Sequence, residues 1–196
     1  MITNQEFADS VIATLRENLA SDDVAFFGSH RTGEADEYSD VDIRARIDRP
    51  LDELFFTSLT ACIEERFGRT TVRYDPDYRD DPQTQDLRLT LYDFPIFWRI
   101  DLVVTSDCPT ARKFPNPFPE WSVATSALWN LVWAVKYDRR NQLDAADEYM
   151  AAACGKVCVD TVTYSVQGVK RMLDWLSEKD DVDGELIDKL RGVLTA

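Results

Sequence analysis

The sequence predicts an α+β fold in two parts: a mixed β-sheet with flanking helices over residues 1–108, then a helical bundle over residues 120–196. Three observations predict it. Short apolar or alternating runs, the pattern of strands, recur through the first part at Val24-Ala25-Phe26-Phe27, Val41 to Ile47, Thr70 to Tyr74, Leu87 to Tyr92 and Ile96 to Thr105. Two stretches with apolar residues at helical spacing interrupt them, and such stretches take over after residue 120. Between the parts, Cys108 to Glu120 carries Pro109, Pro115, Pro117 and Pro119, a composition that favours an extended connection over a packed element.

The elements follow in order. Thr3 or Asn4 can cap a first helix, with Glu6 and Asp9 favourable near its positive end. Phe7, Val11, Ile12, Leu15 and Leu19 form its apolar stripe, and Ser21-Asp22-Asp23 ends it. Val24 to Phe27 reads as a strand buried on both faces. A glycine-bearing turn, Gly28 to Gly33, leads to the strand Val41–Ile47. Asp48-Arg49-Pro50 opens a second helix, with Leu51, Leu54, Phe55, Leu59, Cys62, Ile63 and Phe67 as its stripe and Gly68 as its stop. Asp75 to Gln85 is polar, contains Pro76 and Pro82, and reads as a loop. After the boundary, Trp121 onward is apolar around more than one face, as in a central, buried helix. Asn141 to Ala153, Lys156 to Leu176 and Glu185 to Leu194 supply the remaining helices.

Composition narrows the function. A chain of 196 residues with 44% apolar and 11% aromatic content folds around a core rather than remaining disordered. The net charge of -14 repels phosphate backbones at long range, which weighs against bulk nucleic-acid binding. Abundant Asp, scarce Lys and Arg-borne positive charge also suit a high-salt cytoplasm, so the acidity is not evidence for a cationic substrate. Four cysteines without a CxxC, and one histidine, argue against a zinc site and for buried free thiols in a reducing cytoplasm. The sequence predicts no signal peptide and no membrane span.

The chemistry gathers in one stretch, Phe26-Phe27-Gly28-Ser29-His30-Arg31-Thr32-Gly33 through Ser39-Asp40-Val41-Asp42-Ile43. Successive strand side chains alternate faces, so Asp40 and Asp42 share one face while Val41 and Ile43 share the other. Two like charges that close repel unless a cation lies between them, and hard oxygen ligands suit Mg²⁺. Gly28 and Gly33 permit backbone conformations that bring N–H groups near a phosphate. In the last strand Asp101 stands between Ile100 and Leu102, repeating the surroundings of Asp42, and a buried carboxylate there needs a partner. We read the two strands as neighbours, with Asp101 completing a three-carboxylate cluster.

Apolar-Gly-Ser, a spacer and Ser-Asp-x-Asp-apolar resembles the signature of the DNA polymerase β-type nucleotidyltransferase superfamily. Gly28-Ser29 match its first element, and Asp40 and Asp42 its second. The resemblance is strong over residues 24–47, looser to about residue 105, and beyond that reduces to general helical character. It implies the nucleotidyltransferase fold and Mg²⁺-dependent transfer of a nucleoside monophosphate from a nucleoside triphosphate, ATP first, to a hydroxyl, with pyrophosphate released. The closest analogies are the aminoglycoside and lincosamide nucleotidyltransferases, whose acceptors are small hydroxylated molecules. A transferase modifying a protein or RNA, as in toxin–antitoxin pairs, and a non-catalytic nucleotide-binding module are the alternatives. The implied metal ligands and catalytic acids are Asp40, Asp42 and Asp101. Gly28, Ser29, Arg31, Gly33, Ser39 and, from the helical part, Lys136 are the nucleotide-binding candidates. Whether Asp101 is a base or a ligand stays open, as do the acceptor and homodimerisation.

Overall fold

The structure, a computed structural model, describes residues 2–21, 23–74, 83–108, 122–160 and 163–195. The chain divides into two compact units, Met1–Glu120 and Trp121–Ala196. The proline-rich boundary, Trp121 and most of the expected 75–85 loop lie outside the described residues.

In the first unit the order is α1 (Asn4–Leu19), β1 (Val24–Phe26), α2 (Gly28–Thr32), β2 (Val41–Ile47), α3 (Glu53–Phe67), β3 (Thr70–Tyr74), β4 (Thr84–Leu91) and β5 (Ile100–Ser106). Helix α1 starts in a capping box: Thr3 accepts from the Glu6 N–H while the Glu6 carboxylate accepts from the Thr3 N–H. It ends at Ala20 in the left-handed conformation. The strands form one mixed sheet, ordered β1-β2-β5-β4-β3. Only β2 and β5 run parallel, and the long crossover between them contains α3, β3 and β4.

Register sorts the side chains onto two faces. Val41, Ile43 and Ala45 on β2 lie opposite Ile100, Leu102 and Val104 on β5, which in turn meet Leu89 and Leu87 on β4. All of these are buried. Helices α1 and α3 contact one another and the sheet, covering this apolar face with their own stripes. The Phe7 ring anchors the packing, with centroids 4.7 Å from Phe94, 5.3 Å from Trp98 and 5.7 Å from Phe67. The alternate positions, Asp42, Arg44 and Arg46 on β2, Asp101 and Val103 on β5, and Asp86 and Arg88 on β4, define the other face.

Several boundaries differ from the sequence reading. The glycine turn is a short helix, α2, closed by Gly33 at φ 75. Leu54, expected in the stripe of α3, is 72% exposed, and Phe56 is buried instead. The Asp52 cap sets that rotation: its side chain accepts from the Phe55 N–H and starts the helix at Glu53. Strand β4 begins at Thr84, where a loop was expected, because Thr84 and Gln85 continue the ladder to Thr105 and Val104. Residues 96–99, expected as strand, are not: the Trp98 N–H to Pro95 carbonyl bond closes a turn over residues 95–98, and β5 starts at Ile100.

The second unit contains α4 (Val123–Arg139), α5 (Leu143–Lys156), α6 (Val166–Leu176) and α7 (Gly184–Val193). Helix α4 packs along α5 and touches α6, which touches α7. It is apolar around most of its circumference, and Ala127, Leu128, Leu131, Val132 and Val135 are essentially fully buried. The helix expected from Lys156 begins at Val166, capped by Ser165, and Gly155 lies inside α5. The four cysteines are free, but against the expected burial only Cys154 is buried, and Cys158, just past the end of α5, is exposed.

Candidate active site

Parallel pairing of β2 with β5 puts Asp42 directly opposite Asp101. Asp40 precedes β2 on the same side. One carboxylate oxygen from each of Asp40, Asp42 and Asp101 lies within 4.8 Å of the other two. An octahedral Mg²⁺ holds its oxygens at about 2.1 Å, so trans ligands stand roughly 4.2 Å apart. The widest spacing in the cluster therefore has little closing to do, and an all-carboxylate donor set suits a hard cation. Asp101 is 8% exposed, so its charge is largely withdrawn from water.

The backbone explains how these residues meet. The Phe27 N–H donates to the Asp42 carbonyl at 2.9 Å, tying the start of α2 to β2. The Val41 N–H, between the two acids, donates to the Arg99 carbonyl at 2.9 Å. Gly28 has φ 62, and a Cβ there would lie 3.1 Å from Asp42 Cγ and closer still to its carboxylate oxygen. Glycine is thus required twice over, for its backbone conformation and for the approach of Asp42. Gly33 also has positive φ, but a Cβ there would meet nothing within 4 Å. Its part is to cap α2, with its N–H on the Ser29 carbonyl.

The other candidates fall into different places. Ser29 is half-buried beside this turn, and Arg31 is exposed on α2. Ser39 is 1% exposed. Its hydroxyl accepts from the Asp36 N–H and donates to Asp36 Oδ1, both at 3.0 Å, and its carbonyl accepts from Asn4 Nδ2 at 2.8 Å. Ser39 therefore pins the approach to Asp40 rather than presenting an open hydroxyl. Lys136 belongs to α4 in the helical unit, is buried, and sets its Nζ 4.0 Å from the Trp133 ring centroid. His30 is buried against Phe26, with ring centroids 5.3 Å apart, and its Nδ1 lies 3.3 Å from Gln5 Oε1. Burial lowers its pKa below the ordinary value, opposed by the charges of Asp40 and Asp9.

Two arginines at the site escaped the sequence reading. Arg99 donates through Nε to Asp101 Oδ1 at 2.6 Å and through Nη2 to Oδ2 at 2.7 Å. Arg88 on β4, opposite Asp101 in register, approaches Oδ2 at 3.6 Å. The signal was present as Arg99-Ile100-Asp101: a spacing of two keeps both charged ends on one side of an extended chain. Desolvation opposes the charged form of Arg99, but the carboxylates of Asp101, Asp40 and Asp42 outweigh it and raise its pKa.

A mixed sheet carrying three clustered carboxylates beside a glycine-led turn has the parts that metal-assisted phosphoryl or nucleotidyl transfer requires. Residues 9–88 match the family model of the nucleotidyltransferase domain, consistent with the polymerase β-type superfamily. No curated protein and no solved structure gives a significant match. The family match covers Asp40 and Asp42 and stops short of Asp101, which joins them through the β2–β5 pairing. No helix among the described residues is long and apolar enough to cross a membrane.

Proposed function

We propose that this chain transfers a nucleoside monophosphate from a nucleoside triphosphate, ATP first, to a hydroxyl of a small acceptor of the aminoglycoside or lincosamide kind. The observation that carries the reading is the meeting of Asp40, Asp42 and Asp101 within 4.8 Å behind the Gly28 turn. In the reaction the acceptor oxygen attacks the α-phosphorus and gives up its proton to Asp101 or to solvent, the bond to the bridging oxygen of the β-phosphate breaks, and pyrophosphate leaves with that electron pair. Asp40 and Asp42, with Asp101, would hold Mg²⁺, which supplies neutralisation of charge on the phosphate oxygens. Gly28, Ser29 and Arg31 on α2, and Gly33 at its end, would receive the triphosphate tail. Asp101 accepts a hydrogen bond from the acceptor hydroxyl and aligns it for in-line attack. Lys136, in the helical unit, is a further nucleotide-binding candidate from the sequence.

Asp42→Asn tests the reading. The exchange is nearly isosteric, so far-ultraviolet dichroism should not change. Pyrophosphate release should fall by at least about a hundredfold, the scale of losing one charge-stabilising group at a reacting phosphate. Full activity in Asp42→Asn would exclude the mechanism. Radiolabelled ATP, offered with hydroxylated small molecules and separately with cell lysate, assigns the acceptor. Label appearing only on a macromolecule would exclude the small acceptor.

A further inference from the structure

We propose that the helical unit carries a binding site of its own, a cleft beside α6 that takes a free apolar α-amino acid. Its residues all belong to the helical unit, so the inference does not rest on the nucleotidyl-transfer reading of the first unit.

The cleft lies between the end of α5 and one side of α6, two helices that both pack against α4. Its volume is about 260 Å³. Pockets for drug-sized ligands run from about 300 to 1,000 Å³, so this one is too small for a nucleoside triphosphate and fits a molecule of roughly ten non-hydrogen atoms. Val159, Met172 and Trp175 supply apolar walls. Val159 is 37% exposed, an apolar surface that gains by being covered. The Trp175 ring is braced by Lys179, whose Nζ lies 4.1 Å from the ring centroid. Met172 is unbranched and can adapt its shape to an apolar guest.

Two opposite charges stand at the rim. Arg171 and Asp160 both line the cleft and both are exposed. Neither makes a hydrogen bond or ion pair among the described residues, with the other or with a third group. A free cation and a free anion beside an apolar cavity are complementary to a zwitterion with an apolar side chain. The planar guanidinium of Arg171 receives the α-carboxylate, Asp160 receives the α-ammonium, and the side chain enters between Val159, Met172 and Trp175. A fatty acid would leave Asp160 unanswered, and an apolar amine would leave Arg171 unanswered. An internal segment of a partner protein carries neither terminal charge.

The test uses the full chain with L-leucine and L-phenylalanine as probes, read by calorimetry and saturation-transfer NMR. Each should bind saturably. Leucinamide, which lacks the carboxylate, and 4-methylpentanoate, which lacks the ammonium, should each bind about tenfold more weakly than leucine, the scale of one charge-assisted hydrogen bond. Arg171→Gln should weaken leucine by about tenfold without weakening leucinamide, and Asp160→Asn should weaken leucine without weakening 4-methylpentanoate. Both exchanges are at exposed positions, so far-ultraviolet dichroism should not change. No saturable binding of either amino acid to the wild-type chain up to about 10 mM would overturn the proposal. Unchanged leucine affinity in Arg171→Gln would overturn it too. So would equal wild-type affinity for leucine and 4-methylpentanoate, which would make the cleft a site for apolar molecules without regard to the ammonium.

Discussion

Replacing Gly28 with alanine isolates the closest approach in the site. Two costs add. An alanine at φ 62 sits in the left-handed region, which costs about 1–2 kcal/mol for a residue with a Cβ. The new Cβ also falls 3.1 Å from Asp42 Cγ and against its carboxylate oxygen, so the carboxylate must move by about 1 Å. Gly33→Ala is the internal control, with φ 75 but nothing within 4 Å of its Cβ. Both variants should lose about 1–2 kcal/mol, lowering the melting temperature by a few degrees. Only Gly28→Ala should also lose about a hundredfold in kcat, the scale of a 1 Å displacement of a catalytic group. Thermal melts and continuous pyrophosphate release separate the two effects. Equal activity in the two variants would refute the argument that Gly28 is set by Asp42 rather than by backbone conformation alone.

Three further outcomes follow from the same geometry. His30 is the sole histidine and burial lowers its pKa from 6.5, so the unfolded chain binds more protons between the lowered value and 6.5. Stability should rise with pH through that window and be lost on acidification through it. His30→Gln should flatten the melting temperature between about pH 7 and pH 5, and an unchanged slope would refute the assignment. Phe7→Ala removes a fully buried ring from contact with Phe67, Phe94 and Trp98 and should cost about 3–5 kcal/mol by urea denaturation. Lys136→Met keeps an apolar stem against Trp133 without the charge; weaker ATP binding by calorimetry supports Lys136 as a nucleotide-binding candidate, and an unchanged Kd removes it.

Much of the site was legible because its determinants are local. Gly28-Ser29 and Asp40-Val41-Asp42 lie within one short stretch, and strand alternation places the two acids on one face without knowledge of the rest of the chain. The apolar stripe of α1 was legible for the same reason, and each of its five expected residues is buried. Leu54 and Phe56 exchanged places because the register of α3 depends on the Asp52 cap, a one-residue matter that periodicity does not resolve. Thr84 and Gln85 read as loop because polar residues carry little strand signal, yet pairing with β5 makes them strand and buries them.

The sequence by itself carried the resemblance to nucleotidyltransferases, since Gly28-Ser29 and Asp40-Val41-Asp42 lie within one short stretch, and residues 9–88 match that domain. It also determined the two-part organisation, through the change of apolar period on either side of the prolines. Tertiary structure brought in Asp101, as its apolar-Asp-apolar surroundings led the sequence to predict, and added Arg99 and Arg88, which the sequence reading had missed. Asp101 stands 59 positions after Asp42 in the chain and becomes its neighbour only when β5 pairs parallel to β2. The same pairing presents the Arg99 carbonyl to Val41 and its guanidinium to Asp101. Long-range strand pairing has no local signature, so the counter-cation of the third acid becomes visible only once the sheet is assembled.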